Sequence, residues 1–431
     1  MYAQFIRFLT PLVIATVALE LGGQFLNAGT ARVPRATETL AAFGLAYGLM
    51  TILSGPLYQT RQMALALIDN RNQLARTTKF VAISGLLLSI ATAVLGLHGP
   101  GRWIVQDLHQ ISPQLADSAQ TALIWMSPLP LINGLARYYS GLLARYRRTE
   151  VISASNIAGI IVRIACVFAL LAHPLIQSHP IFLPIIATFA GAVTEYGVLI
   201  WGHFRFSRPA LDTSGETLTT SDIFRFLWPL AVIMTFQSLS RPLINFVVSR
   251  GDNPTEALAA LTVCYTLGHL HYGWVNETRS LAPAFRDQKD SLIPIRNFIA
   301  ACCGISFILA LVMFWTPLKW VLLTDLIGVD QQLAELCIAP LMIFSFFPFA
   351  VALRGYYHGL GVLKRVTDAM AASAPSRITA IAVALFVFSF TDVPGATRGI
   401  GALFCGFAAE STVVAWGVRR RLGRILGKSH A

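Results

Sequence analysis

Charge is scarce in this chain, and acidic charge is scarcer still. Only 13% of the 431 residues are charged, with 21 Asp and Glu set against 33 Lys and Arg. Soluble domains carry about 25% charged residues. That shortage, with 55% apolar residues and a mean hydropathy of +0.62, excludes an ordinary water-soluble globule. Cysteine is also sparse. Cys166, Cys264, Cys302, Cys303, Cys337 and Cys405 all fall inside or beside apolar stretches, with no CxxC spacing. They read as small buried hydrophobes, not as a disulfide framework or a metal site. No GxxxxGK[ST] loop is present, so ATP-hydrolysing transport has no support, and no cofactor is implied. No nucleophile–base constellation recurs, so an enzyme is not expected.

What is present in quantity is the long apolar run. Segments of about 20 apolar residues, enough to cross a bilayer, lie near 8–27, 38–58, 79–97, 119–143, 151–172, 181–203, 223–246, 256–276, 296–316, 334–360, 366–390 and 398–418. Spans of this length must satisfy their backbone internally, which requires helix. A β-barrel would show alternating segments of about 10 residues instead. The fold class is therefore an all-α polytopic membrane protein of about 12 spans.

Basic residues set the expected orientation. With the N-terminus inside, the inner loops and tails hold 22 of the 33 Lys and Arg, among them Arg71, Arg76, Lys79, Arg145, Arg147, Arg148 and the Arg419–Arg421 run. The outer loops hold six: Arg32, Arg35, Arg102, Arg250, Lys319 and Arg398. Both termini are thus expected to be cytoplasmic, with the chain in the cell (inner or plasma) membrane. The net charge of +12 is then mostly topology, and no nucleic-acid partner is expected. Arg7 leads into a span without a small-residue cleavage site, so no signal peptide is expected.

The chain repeats itself. RFLTPL at Arg7 returns as RFLWPL at Arg225, which is 225 − 7 = 218 residues on. The same shift carries Asn27 onto Asn245, Tyr47 onto Tyr265, Thr60-Arg61 onto Thr278-Arg279, and Tyr138-Tyr139 onto Tyr356-Tyr357. A period this long is no solenoid, whose repeats run to about 20–50 residues. Six spans per half is an even number, so the halves enter the membrane from the same side and form a parallel pseudo-two-fold repeat. The expected organisation is an N-terminal six-helix bundle over 1–203, a cytoplasmic linker over 204–222, a C-terminal six-helix bundle over 223–418, and a basic cytoplasmic tail over 419–431. GLAYG at Gly44–Gly48 is a GxxxG pattern for close helix packing.

Ionisable residues at membrane depth default to function, at about 2.5–3.5 kcal/mol each. Eight stand out: Glu20, Arg137, Arg163, Glu195, Arg241, Arg354, Arg377 and Glu410. Arg163 with Glu195, and Arg377 with Glu410, lie at similar depths on consecutive antiparallel spans and read as structural salt bridges. Arg137, Arg241 and Arg354 against Glu20 leave a surplus of positive charge. Thr16, Glu20, Gln24 and Asn27 form a polar stripe on the first span; Gln237, Arg241 and Asn245 form one on the seventh. These stripes read either as polar glue between helices or as a cavity lining. Arg137 and Arg354 are offset by one under the repeat, a rotation of about 100°, so they are not strict symmetry mates. His269 and His271 stand at i, i+2, a poor chelating pair, and no metal is assigned.

Particular strings then carry a resemblance: SRPLINFVVSR (240–250), YTLGHLHYGWVNETRSLAPAF (265–285), IGVDQQLAELCIAPLMIFSFFPFAVALRG (327–355), GLAYGLM (44–50), APSRI (374–378) and GFAAESTVVA (406–415). The chain resembles the progressive ankylosis protein family. That resemblance implies a MATE-like fold of the multidrug/oligosaccharide-lipid/polysaccharide exporter superfamily. It also implies export of polyanions such as pyrophosphate, nucleoside triphosphates and citrate or related carboxylates. Polyanions agree with the independent surplus of arginine in the spans. The expected substrate-binding residues are Arg241, Arg354, Arg137, Gln24, Asn27, Gln237, Asn245, Tyr356, His269 and Tyr272, with Glu20 as the ion-coupling residue for a proton or sodium ion. A cation or drug antiporter, or a lipid-linked precursor flippase, remains open on the same architecture.

Overall fold

The computed structural model describes residues 1–428 apart from Ala31, His98, Pro100, Gln110, Ser214, Asp252, Lys289 and Gly328. The side chains of Glu20, Leu21, Gly23, Gln24, Asn27, Ala28, Thr37, Pro254, Thr255 and residues 424–428 also lie outside the description. Among the described residues there is no strand, only an isolated bridge between Asn70 and Asp212.

Helices run in the order α1 (Tyr2–Thr30), α2 (Ala36–Ser54), α3 (Thr60–Leu67), α4 (Arg71–Gly96), α5 (Pro113–Met126), α6 (Leu129–Arg145), α7 (Thr149–Leu170), the short α8 (Pro174–Ser178) and α9 (Phe182–Gly202). They continue as α10 (Thr220–Val248), α11 (Pro254–Leu270), α12 (Leu281–Ala284), α13 (Leu292–Trp315), α14 (Leu318–Trp320), α15 (Gln331–Phe344), α16 (Phe347–Leu363), α17 (Ser373–Phe388) and α18 (Gly395–Lys428). Among the described residues, ten stretches are long and apolar enough to cross a membrane. The other two expected spans coincide with the broken pair α5–α6 and with the 17-residue α11.

The 218-residue period governs backbone detail. Adding 218 carries α1 onto α10, α5 onto α15 and α6 onto α16, from first residue to last. A 3-10 segment follows α2 at Gly55–Gln59 and follows α11 at Gly273–Ser280. Left-handed Arg35 (φ 51°) corresponds to Asn253 (φ 46°), and Arg147 (φ 58°) to Arg365 (φ 55°). Non-glycine residues rarely adopt that region, so the shared turns bespeak one ancestral half. Lipid-facing positions repeat as well: Leu87 and Ile305 are each 61% exposed.

Two of the expected spans, 119–143 and 334–360, are each two helices joined at a short turn. The break falls at Ser127-Pro128 in the first half and at Ser345-Phe346 in the second. Pro128 disfavours helix at the residue before it, and Pro130 and Pro348 occupy the first turn of α6 and α16, where a missing N–H costs nothing.

The chain divides into two compact units, one of Phe8–Ala231 and one of Val232–Ala431 with Met1–Arg7. In the first, the segment after α9 is pinned to the start of α4: the Arg71 amide donates to Asp212 O (3.0 Å) and Asn70 Nδ2 to Glu216 O (3.1 Å). In the second, the first turn of α1 is anchored by Phe5, edge-on to Phe285 at 4.8 Å. Residues 419–428 continue α18 as helix.

Glycine matters at one repeated contact. A Cβ on Gly141 would lie 2.3 Å from the Arg61 carbonyl, and one on Gly359 would lie 2.6 Å from that of Arg279. Gly141→Ala is expected to destabilise the purified protein by about 1–3 kcal/mol through overpacking, read as a lower Tm. Gly44→Ala is the control. An added Cβ at Gly44 or Gly48 meets nothing within 4 Å among the described residues, so neither glycine marks a close helix contact here.

Candidate functional site

One cavity of about 410 Å³ lies wholly within the second unit. Its lining explains how distant positions converge. On α10, Met234, Gln237 and Arg241 recur at i, i+3 and i+7 and so share a face. The 3-10 segment after α11 has three residues per turn, which aligns Asn276 with Arg279. His269 comes from the last turn of α11 and Tyr272 from the turn that follows it, with rings 5.1 Å apart. α16 supplies Arg354, α17 Arg377, and α18 Leu403 and Phe407 one turn apart.

Four arginines therefore face one space: Arg241, Arg279, Arg354 and Arg377. Behind them Glu410, 1% exposed, is the anchor. Its Oε2 accepts from Arg354 NH1 at 3.0 Å and from Arg377 NH1 at 2.6 Å, and its Oε1 from the Gln237 amide. Arg354 NH2 also donates to Asn276 Oδ1 (2.6 Å), and Arg377 Nε to Ser240 Oγ (2.8 Å). Phe407 lies under both guanidiniums, 5.1 Å from Arg354 and 4.0 Å from Arg377. Arg241 stands apart. It is exposed, stacks on Tyr265 at 4.7 Å, and has no ion-pair partner among the described residues.

Of the residues singled out from sequence, Arg241, Arg354, Gln237, His269 and Tyr272 line this cavity. Asn245 lies one turn beyond Arg241, outside the lining, with its Oδ1 buried and lacking a hydrogen-bond partner among the described residues. Tyr356 packs on Tyr357 at 5.1 Å instead of facing the cavity. Arg137 belongs to the first unit, 5.4 Å from the Tyr58 ring, beside a separate small pocket with Asn133 and Ser54. Glu20, Gln24 and Asn27 have side chains outside the described residues.

The two expected salt bridges fare differently. Arg377 and Glu410 are paired at 2.6 Å, but Arg354 shares the same carboxylate oxygen, so the pair is a triad. Between Arg163 and Glu195 the described structure holds no ion pair within 4 Å. The backbones of α7 and α9 approach so closely at Gly159 and Gly191 that Arg163 Nε is packed 3.1 Å from where a Gly191 Cβ would sit, with no hydrogen-bond partner among the described residues. His271 turns into the core, its Nε2 3.1 Å from Phe344 O, while His269 faces the cavity. Arg279, Asn276 and Phe407 line it too but were not among the substrate-binding residues expected from the sequence. The signal for Arg279 was its repeat match to Arg61.

The helical fold, its candidate membrane spans and the polar cavity define the class as a polytopic membrane protein with an internal polar site. A family model described as progressive ankylosis protein (ANKH) matches residues 1–316, and the chain belongs to that family. Solved structures share the fold at low identity. A mutant of the Vibrio cholerae MATE transporter VcmN aligns with TM-score 0.77 at 13% identity, over 99% of this chain and 97% of that one. A MATE transporter in a straight conformation gives 0.74 at 15%, with the same coverage. A MOP superfamily transporter from Pyrococcus furiosus, described by the reverse polarity of its binding pocket, gives 0.72 at 13%, over 98% and 96%.

Proposed function

We propose that this transporter exports polyanions, of the kind of pyrophosphate, nucleoside triphosphates and citrate or related carboxylates, by alternating access through the arginine-lined cavity. The observation that carries this reading is Arg241, unpaired among the described residues on a wall that holds three further arginines. Guanidinium forks match phosphate and carboxylate bidentately. A volume of about 410 Å³ falls within the range of about 300–1,000 Å³ for small-molecule sites. A cation antiporter would need a net acidic lining. The reverse pocket polarity described for the Pyrococcus furiosus transporter supports the view that this fold accepts either sign.

In this scheme both termini are cytoplasmic, in keeping with the basic inner loops, and export runs outward. Gln237, His269 and Tyr272 orient the ligand; Gln24 and Asn27 as further substrate-binding residues, and Glu20 as the residue that couples transport to a proton or sodium gradient, are proposed from the sequence alone, their side chains lying outside the described residues.

The test is uptake of labelled pyrophosphate, citrate and ATP into proteoliposomes. Arg241→Ala is expected to lower polyanion uptake about 10- to 100-fold, the effect of about 1.4–2.8 kcal/mol of lost charge-assisted binding. Unchanged uptake by this variant would remove Arg241 from the site. For Glu20, transport indifferent to both pH and sodium gradients would end the coupling assignment.

A further inference from the structure

The way Glu410 is held suggests a role for it that goes beyond bracing two helices. Both guanidiniums aim at one oxygen, Oε2, while the Gln237 amide takes the other. The three donors arrive on α16, α17 and α10, and each of them also lines the cavity. This is the donor set that a ligand phosphate or carboxylate would itself require. Glu410 thus occupies, from inside the protein, the charge that an incoming anion would seek.

We propose that Glu410 is a built-in competing anion that holds the cavity's affinity for polyanions low enough for release; this deepens, and rests on, the polyanion reading of the same cavity. A ligand does not expel Glu410, because a carboxylate 1% exposed has no water to turn to and would be left unpaired. It binds to the guanidinium edges that remain, against a field that Glu410 has already reduced. Counting the four lining arginines and Glu410 alone, the wall carries 4 − 1 = +3. Glu410→Gln raises this to +4 while preserving the side chain's shape. The attraction between wall and ligand scales with ligand charge, so the gain in affinity grows from orthophosphate to pyrophosphate. Tighter binding within one site is mostly slower departure, so turnover falls as affinity rises.

The experiment uses the full chain, purified in detergent for binding and reconstituted for transport. Glu410→Gln is expected to bind pyrophosphate about tenfold or more tighter than wild type, orthophosphate by a smaller factor, and to turn over pyrophosphate about tenfold more slowly. Glu410→Asp, which keeps the charge, is expected to stay within about threefold of wild-type affinity. A Gln variant of lower thermal stability but unchanged affinity would mean a bracing role only, and would overturn the proposal. So would equal tightening for both anions. If E410Q cannot be purified alone, pyrophosphate during extraction is expected to rescue it, and failure of that rescue counts against the idea. Wild-type protein that binds neither anion would instead overturn the polyanion reading, and this inference with it.

Discussion

Arg354→Ala is expected to reduce polyanion transport at least about a hundredfold while leaving the helical fold intact. Arg354 ties together three parts of the site: Glu410, Asn276 and the face of Phe407. Its side chain is only 13% exposed, so its charge is poorly screened. Removing it subtracts one positive charge from the wall and leaves Glu410 to neutralise Arg377 alone. Truncating the protein side of a desolvated, hydrogen-bonded charge pair with the ligand costs about 2–5 kcal/mol of binding, and about 2.8 kcal/mol is already a hundredfold. Arg354→Lys keeps the charge but loses the fork that reaches Glu410 and Asn276 at once, so partial recovery is expected. Proteoliposome flux with circular dichroism of the same preparations decides it. Flux within twofold of wild type in a folded Ala variant would show that the ligand does not use this arginine.

The second large effect falls on stability. Arg377 is 6% exposed, donates to Glu410 and Ser240, and lies 4.0 Å from the Phe407 ring. Arg377→Ala strips the closer partner from a carboxylate that cannot reach water, and a loss of about 3–5 kcal/mol is expected. Thermal or denaturant unfolding in detergent measures it. The double variant Arg377→Ala/Glu410→Ala is expected to recover part of that loss, because the orphaned carboxylate goes too and Arg354 still opens onto the cavity. Equal or greater loss in the double variant would show that the contact matters through packing, not charge.

The difference between what could and could not be read from the chain is clear in individual residues. Gln237 and Arg241 were legible because helical periodicity puts i and i+4 on one face whatever the surroundings. Arg377 with Glu410 was legible because consecutive antiparallel spans bring equal depths together. The same logic applied to Arg163 and Glu195 yields no ion pair within 4 Å, since equal depth does not fix rotation about the helix axes. Asn276 and Arg279 were not assigned to the binding site from the sequence, because the segment carrying them leaves α-helix for a 3-10 turn, which resets the face its residues present. Gly44 and Gly48 fit a packing motif, yet an added Cβ at either meets nothing within 4 Å among the described residues.

Membrane residence, an all-helical fold and the duplicated half followed from the sequence by itself, because they depend on hydrophobicity, backbone hydrogen bonding and self-similarity along the chain. The convergence of Arg241, Arg279, Arg354 and Arg377 on one space was decided only in the tertiary structure, as was the sharing of one Glu410 oxygen by two guanidiniums. Those facts depend on the azimuth of each helix, and azimuth is set by side chains packing between helices far apart in sequence. A residue's depth in the membrane can be counted along the chain; the direction it faces there is settled by its neighbours.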